Sequence, residues 1–203
     1  CHVRDGRWTE SVGDDLFGWD VHGKTLGIVG FGTIGHALAR RAALGFGMPV
    51  LYHTRRPVDS GLPEGAARAA ALDELLARSD FVALVLPLTP QTQGLIGPRE
   101  FALMKPGAIL VNGARGPIVQ EEALLRALDG GRLRAAGLDV FDVEPLPPDS
   151  PLRTHPKVLP LPHVGSATHE TRLAMSVLAV DNLLAALGGG RPPAVYRLPP
   201  ATG

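Results

Sequence analysis

The feature that most constrains the fold is the six-residue stretch GFGTIG, which begins at Gly30. It follows a short apolar run, TLGIVG, and it opens the segment TIGHALARRAALGFG, whose apolar residues recur at helical spacing. In such a strand–turn–helix unit, Gly30 would allow the tight turn, Gly32 would let the backbone approach a pyrophosphate, and Gly35 would let the helix lie close to the strand. The stretch therefore predicts a dinucleotide-binding turn, although a glycine-rich turn without a ligand would also fit it.

The start of the predicted helix gives a second reason to expect an anion here. The N–H groups of Thr33 and Ile34 fall in its first turn, where the helix dipole favours negative charge. We expect these two groups to hold the pyrophosphate.

Strand patterns alternate with helical patterns along the rest of the chain. MPVLYHT, FVALVLPL, AILVNG, RAAGLDVF and KVLPLP are typical of strands, and FVALVLPL is so continuously apolar that we expect it to be buried on both faces. Helices are predicted around LDELLARS, PREFALM and QEEALLRALDGG, and a longer one from about 166 to 187. This alternation predicts an α/β fold, a doubly wound parallel sheet of the Rossmann type. We expect an entry segment over residues 1–24, the nucleotide-binding domain over 25–188 and a Pro-rich tail over 189–203.

The composition narrows the classes of partner. The 20 basic and 20 acidic residues leave a net charge of zero, so no long-range field attracts nucleic acid or an anionic membrane, and small molecules are the expected partners.

The single cysteine, Cys1, excludes an internal disulfide, and no apolar run approaches the roughly 18 residues of a membrane span, so we expect a cytoplasmic protein. Because the chain begins at Cys1 rather than at a methionine, we also expect further residues upstream.

The stretch LYHTRRP lies where a dinucleotide-binding fold usually places an acidic residue. An Asp or Glu there would bind the ribose hydroxyls and repel a 2′-phosphate, whereas arginines beside a hydroxyl residue would bind that phosphate. Thr54, Arg55 and Arg56 fit the second case, with His53 next to them. The sequence therefore predicts a preference for NADP(H), with NAD(H) possible, although two solvated arginines on a loop are the simpler alternative.

Three segments at or after predicted strand ends carry candidate catalytic residues. VNGARGPIV contains Arg115, GLDVFDVEP contains Asp139 and Glu144, and LPHVGSAT contains His163. An arginine can bind a carboxylate, a histidine can exchange a proton near neutral pH, and a carboxylate beside a histidine can orient its ring. Together they suit hydride transfer to the carbonyl of a 2-oxo acid. Taken singly, each could be an ordinary surface charge, a loop carboxylate or a structural histidine.

Six segments in order, GFGTIG, HTRR, PLTPQTQGLI, VNGARGPIV, GLDVFDVEP and LPHVGSAT, resemble the D-isomer-specific 2-hydroxyacid dehydrogenases, most closely their NADPH-dependent glyoxylate/hydroxypyruvate reductases. The resemblance runs through nearly all of residues 20–195. It implies that Arg115 holds the substrate carboxylate and polarises the carbonyl, that His163 is the acid/base, and that Glu144 is the carboxylate partner of His163. It implies no metal.

The resemblance also implies the cofactor contacts. Asp139 matches the residue that bonds the nicotinamide carboxamide. The other positions that match cofactor-lining residues are Thr33, Ile34, Pro87, Gly113, Ala114, Arg115, His163, Gly165 and Ser166.

Members of this family have a substrate domain built mostly from the N-terminal third, and this chain resembles only the cofactor domain and its flanks. We therefore expect the chain by itself to bind cofactor but to reduce little substrate, and to expose apolar surface where the other domain would pack. The resemblance also implies a homodimer formed through the cofactor domain.

Three alternatives stay open at this point. Within the enzyme class, the substrate could be a larger sugar-derived acid such as 2-keto-gluconate, or the chain could belong to another D-2-hydroxyacid dehydrogenase. In a different class, it could be a non-catalytic nucleotide-sensing module, as in the related transcriptional corepressors.

Overall fold

The computed structural model describes residues 3–9, 13, 17–55, 58 and 61–194. The chain divides into two compact units, Cys1–Leu161 and Pro162–Gly203. Seven strands and four α-helices are described in the first unit, and one long α-helix in the second.

The first unit is built on one parallel sheet. Its strands are β1 (Leu26–Val29), β2 (Val50–His53), β3 (Ala66–Arg68), β4 (Phe81–Leu84), β5 (Ala108–Asn112), β6 (Leu133–Leu138) and β7 (Val158–Pro160). They lie in the order β3-β2-β1-β4-β5-β6-β7, and all six neighbouring pairs are parallel. The direction of winding reverses between β1 and β4, which is where open α/β sheets bind their ligands. The predicted doubly wound parallel sheet is confirmed.

Every helix that the sequence patterns predicted is present. The helices are α1 (Thr33–Phe46), α2 (Leu72–Arg78), α3 (Pro98–Leu103), α4 (Glu121–Asp129) and α5 (His169–Leu187), with short 3₁₀ turns at Gly116–Ile118 and Pro151–Arg153. Helix α5 belongs to the second unit and begins at a side-chain cap, because the Thr168 hydroxyl accepts a hydrogen bond from the N–H of Thr171. No residue of α5 is buried. None of the described helices has the length and apolar character needed to cross a membrane.

Strand β3 is an element that the sequence patterns did not predict. It has only three residues, Ala66, Ala67 and Arg68, none of them β-branched or aromatic. It forms because it pairs in parallel register with β2, from Val50 opposite Ala66 to Tyr52 opposite Arg68. Long-range pairing therefore decides the structure of a segment whose local sequence is uninformative.

The core of the first unit lies on both faces of the sheet. Along β4, Val82 and Leu84 belong to one buried cluster and Ala83 to the other, and all three are nearly inaccessible to solvent. Because successive side chains of a strand point to opposite faces, the two clusters cover the two sides of the sheet. The predicted burial of this strand on both faces is confirmed.

The Asp80 carboxylate joins the beginnings of the central strands to the segment after α3. Its Oδ2 accepts a hydrogen bond from the N–H of Thr25 at 2.9 Å, and its Oδ1 lies 3.0 Å from the ammonium of Lys105. Partial burial works to raise the pKa of the Asp80 carboxyl, but the N–H of Thr25 and the ammonium of Lys105 outweigh it and hold that pKa below the ordinary value of 3.8. The ionised form of Asp80 therefore stabilises the fold.

We expect Asp80→Ala to lower the free energy of unfolding at pH 7 by about 1–3 kcal/mol, because it removes a charge-assisted hydrogen bond and an ion pair. Since the pKa is lowered in the folded state, this stabilisation is complete above the unfolded value of 3.8 and is lost as the pH falls through the folded value. Urea unfolding at pH 7 and below pH 4 checks both statements, with the exposed Asp149→Ala as control. A difference between wild type and Asp80→Ala that stays constant with pH would contradict the assignment.

Candidate active site

Hydrogen bonds that extend the sheet beyond its strands hold the loops at one edge. The N–H of Gly30 donates to the carbonyl of His53 at 2.9 Å, and the N–H of Gly113 donates to the carbonyl of Leu84 at 3.3 Å. The N–H of Asp139 donates in the same way to the carbonyl of Asn112 at 3.0 Å. Because all the strands are parallel, the loops that follow β1, β2, β4, β5 and β6 lie along this same edge.

The three glycines of the first turn differ in what surrounds them. Gly30 has a φ of +92°, and a Cβ there would lie 2.8 Å from the Cβ of Leu86. A Cβ at Gly35 would lie 2.7 Å from the carbonyl oxygen of Gly30, so its absence lets α1 approach β1. At Gly32, apart from its two chain neighbours, no atom of the described residues lies within 4 Å of the Cβ position. The backbone at Gly32 is therefore open to an approaching ligand, as the dinucleotide pattern requires.

The N-terminus of α1 fits a pyrophosphate. Gly32 is its N-cap and supplies no side-chain acceptor, and no acidic residue lies in the first turn. The N–H groups of Thr33 and Ile34 have no acceptor within the helix, and both residues are exposed. An open backbone, N–H groups without helical acceptors and a positive helix dipole suit the pyrophosphate that the sequence predicted here.

The end of β2 and the loop after it contain the residues that are predicted to bind a 2′-phosphate. Thr54 is half-buried, Arg55 is exposed, and His53 has its Nδ1 atom 3.4 Å from the carbonyl oxygen of Ala69. A further guanidinium reaches this loop, because Nη2 of Arg68 donates to the carbonyl oxygen of Thr54 at 3.2 Å. The sequence did not point to Arg68, since the strand that carries it was not predicted. The fourth predicted residue, Arg56, lies outside the described residues.

Arg115 lies on a tightly bonded loop after β5. The side chain of Asn112 accepts a hydrogen bond from the N–H of Ala114 and donates one to the carbonyl oxygen of Arg115, both at 3.0 Å. The Arg115 side chain is exposed; its Nη1 donates to the carbonyl oxygen of Ala114 at 2.6 Å, and no described carboxylate pairs with it. Its remaining donors can therefore receive an anion such as a carboxylate.

The loop after β6 packs directly on the Arg115 loop. A Cβ at Gly116 would lie 2.0 Å from the carbonyl carbon of Phe141, so only a glycine permits this contact. In the β6 loop, the N–H of Phe141 donates to Oε1 of Glu144 at 2.9 Å, and Asp139 follows directly after the strand. Arg115, Asp139 and Glu144 are thereby carried on two loops that touch.

Two carboxyl groups that the sequence analysis did not single out lie beside these loops. Burial raises the pKa of the Glu121 carboxyl, and the nearby Asp142 raises it further. Burial also raises the pKa of the Asp142 carboxyl. Both residues line a small cavity together with Asn112 and Phe141. Among the described residues, no group of three or more His, Cys, Asp or Glu side chains could hold a metal ion.

Of the other predicted cofactor residues, Pro87 lies in the loop after β4, where its carbonyl oxygen accepts a hydrogen bond from the Thr92 hydroxyl at 2.7 Å. His163, Gly165 and Ser166 belong to the second unit and precede α5. His163 has a φ of +54° and is the non-glycine residue with positive φ among those described. Such a backbone costs free energy and is often retained at functional positions.

Comparison with known proteins identifies the family to which this chain belongs. The family model for the NAD-binding domain of D-isomer-specific 2-hydroxyacid dehydrogenases matches residues 1–165. A curated relative from Yersinia enterocolitica, named glyoxylate/hydroxypyruvate reductase B, is 56% identical over 187 residues, which are 92% of this chain and 57% of the relative. The chain thus spans little more than half the length of the curated relatives it matches.

Solved structures give the same result. A glyoxylate reductase from Paecilomyes thermophila superposes with a TM-score of 0.86 at 40% identity, over 98% of this chain and 58% of the other. A D-isomer-specific 2-hydroxyacid dehydrogenase from Xanthobacter autotrophicus Py2, solved with NADPH and MES, superposes with a TM-score of 0.78 at 34% identity, over 98% and 78%. The chain belongs to the D-isomer-specific 2-hydroxyacid dehydrogenase family, whose NAD-binding domain it contains.

Proposed function

We propose that this chain is the cofactor-binding part of an NADPH-dependent reductase that converts a small 2-oxo acid, glyoxylate or hydroxypyruvate, into the 2-hydroxy acid. The observation that carries the proposal is the exposed Arg115 guanidinium, fixed by its loop at the same sheet edge as the open glycine turn. A relative that is 56% identical is named as a reductase of these two acids.

In the proposed reaction each residue has a separate role. The N–H groups of Thr33 and Ile34 bind the pyrophosphate, and NADPH, when bound, supplies the hydride. Arg115 binds the substrate carboxylate through its planar guanidinium and polarises the adjacent carbonyl. His163 donates a proton to the carbonyl oxygen, and in the reverse direction removes it. The family resemblance assigns Glu144 as the carboxylate that orients His163 and Asp139 as the partner of the nicotinamide carboxamide.

We propose a preference for NADPH because the loop after β2 offers cations and a hydroxyl where a carboxylate would repel a 2′-phosphate. Thr54 and Arg55 are the proposed ligands, and Arg68 brings a third group close to them. The NADPH complex of the Xanthobacter relative is consistent with this cofactor within the family. A cytoplasmic location and a homodimer formed through the cofactor domain remain predictions from the sequence and the family resemblance.

The cofactor preference is tested by fluorescence titration of the chain with NADPH and NADH. We expect Arg55→Ala to weaken NADPH binding by about tenfold, a loss of ~1.4 kcal/mol, while NADH binding changes by less than about twofold. Arg78→Ala is the matched control, because Arg78 is an exposed arginine on α2 that pairs with Glu74. Equal affinity of the wild type for the two cofactors, or an unchanged NADPH affinity in Arg55→Ala, would refute the preference.

The acid/base role is tested with the complete natural polypeptide that contains this chain. We expect His163→Ala to lower kcat for glyoxylate by roughly 10²–10⁴-fold, because no group then protonates the carbonyl oxygen, while the Kd for NADPH stays within about twofold. His169→Ala, which removes an exposed histidine at the start of α5, serves as control. If turnover survived in His163→Ala, another residue would have to be the acid.

A further inference from the structure

Asn112 is one of two polar residues, with Ser79, whose side chains are buried among the described residues. It is the last residue of β5 and is 2% exposed. A buried amide costs free energy unless its donors and acceptors are paired, so the bonds of Asn112 show what it is there to hold.

The side chain of Asn112 holds both sides of one short turn. Its Oδ1 accepts from the N–H of Ala114, and its Nδ2 donates to the carbonyl oxygen of Arg115. An amide is required, because Ala114 offers only a donor and Arg115 only an acceptor at these points. A carboxylate at this position would place an oxygen against the carbonyl oxygen of Arg115.

Further contacts restrain the two ends of this turn, which runs from Gly113 to Gly116. Its first residue, Gly113, donates its N–H to the carbonyl of Leu84. Its far end, Gly116, lies against the backbone of Phe141. Between these points, the backbone of Arg115 is extended, with φ −147° and ψ 146°, and the side chain of Asn112 supplies the bonds that fix it.

The main chain of Asn112 reaches the second loop. Its carbonyl oxygen accepts the N–H of Asp139 at 3.0 Å, so one residue is bonded to the loop of Arg115 and to the start of the loop that bears Glu144. A shift of Asn112 would therefore displace both loops.

We infer that Asn112 is the positioning residue for Arg115: its buried amide fixes the point from which the guanidinium binds the carboxylate of the 2-oxo acid. The inference rests on the role proposed above for Arg115. A displacement of about 1 Å can cost roughly a hundredfold in rate, so we expect the loss of this amide to affect substrate binding and turnover, although Asn112 itself is only 2% exposed.

The test compares Asn112→Ala with Ser79→Ala in the complete natural polypeptide. Ser79 is the other buried polar residue and follows the last residue of α2. Its hydroxyl donates a hydrogen bond to the carbonyl oxygen of Leu75 at 2.7 Å. We expect both variants to lower Tm, but only Asn112→Ala to raise KM for glyoxylate, by roughly tenfold to a hundredfold. We expect the Kd for NADPH to stay within about twofold in Ser79→Ala and, in Asn112→Ala, to change by less than KM, because the cofactor pyrophosphate is bound elsewhere, at α1.

A double-mutant cycle with Arg115→Ala shows whether Asn112 acts through the arginine. We expect Asn112→Ala to add little to KM once Arg115 is absent, since residues that act as a unit are not additive. Independent, multiplicative effects, or an unchanged KM in Asn112→Ala, would overturn the inference. An unchanged KM in Arg115→Ala would instead refute the proposed function itself.

A second variant covers the case in which Asn112→Ala does not fold. Asn112→Asp keeps the shape and the acceptor for the N–H of Ala114 but loses the donor to Arg115. We expect KM for glyoxylate to rise in this variant as well, by more than the Kd for NADPH changes. A normal KM in a folded Asn112→Asp would show that the bond to the Arg115 carbonyl does not position the guanidinium.

Discussion

The parallel pairing of the strands is the constraint on which the rest of the first unit depends. Parallel register places every strand's carboxyl end at one edge, so loops from distant parts of the sequence lie along it. The pairing also continues past the strands, as in the bond from the N–H of Asp139 to the carbonyl of Asn112. The loops that carry the proposed cofactor and substrate contacts are thus fixed by the same hydrogen-bonding pattern that holds the sheet together.

The candidate site also depends on backbone segments that pack closely, and glycines permit this packing at two positions. The absence of a Cβ at Gly35 lets α1 lie against the turn at Gly30, and its absence at Gly116 lets the arginine loop touch the backbone of Phe141. Gly32 differs, because no other part of the described chain lies within 4 Å of its Cβ position. Two of these glycines therefore serve packing within the protein, whereas the third leaves space for a ligand.

Much of the fold and of the candidate site followed from local patterns. The strand–turn–helix at GFGTIG, the alternation of strands and helices, and the positions of Arg115, Asp139 and Glu144 after strand ends were predicted because each depends on residues near in sequence. Strand β3 and the approach of Arg68 to Thr54 were not predicted, because two alanines and an arginine carry no strand period of their own and none of them is β-branched or aromatic. The role inferred for Asn112 was likewise invisible, since an asparagine at a strand end gives no sign that both ends of its amide will be buried and bonded.

The sequence by itself determined which groups are available. These are a glycine turn before a helix, a cationic loop where an acid would select NAD, and an arginine, a carboxylate and a histidine of the types that assist hydride transfer to a carbonyl. Tertiary structure decided how those groups are held. Only the parallel register brings the loop of Arg115 against the loop of Glu144, and only the burial of Asn112 commits its amide to the backbone on both sides of Ala114. The physical reason is that side-chain chemistry is a property of single residues, whereas burial and hydrogen-bond satisfaction are properties of the packed chain.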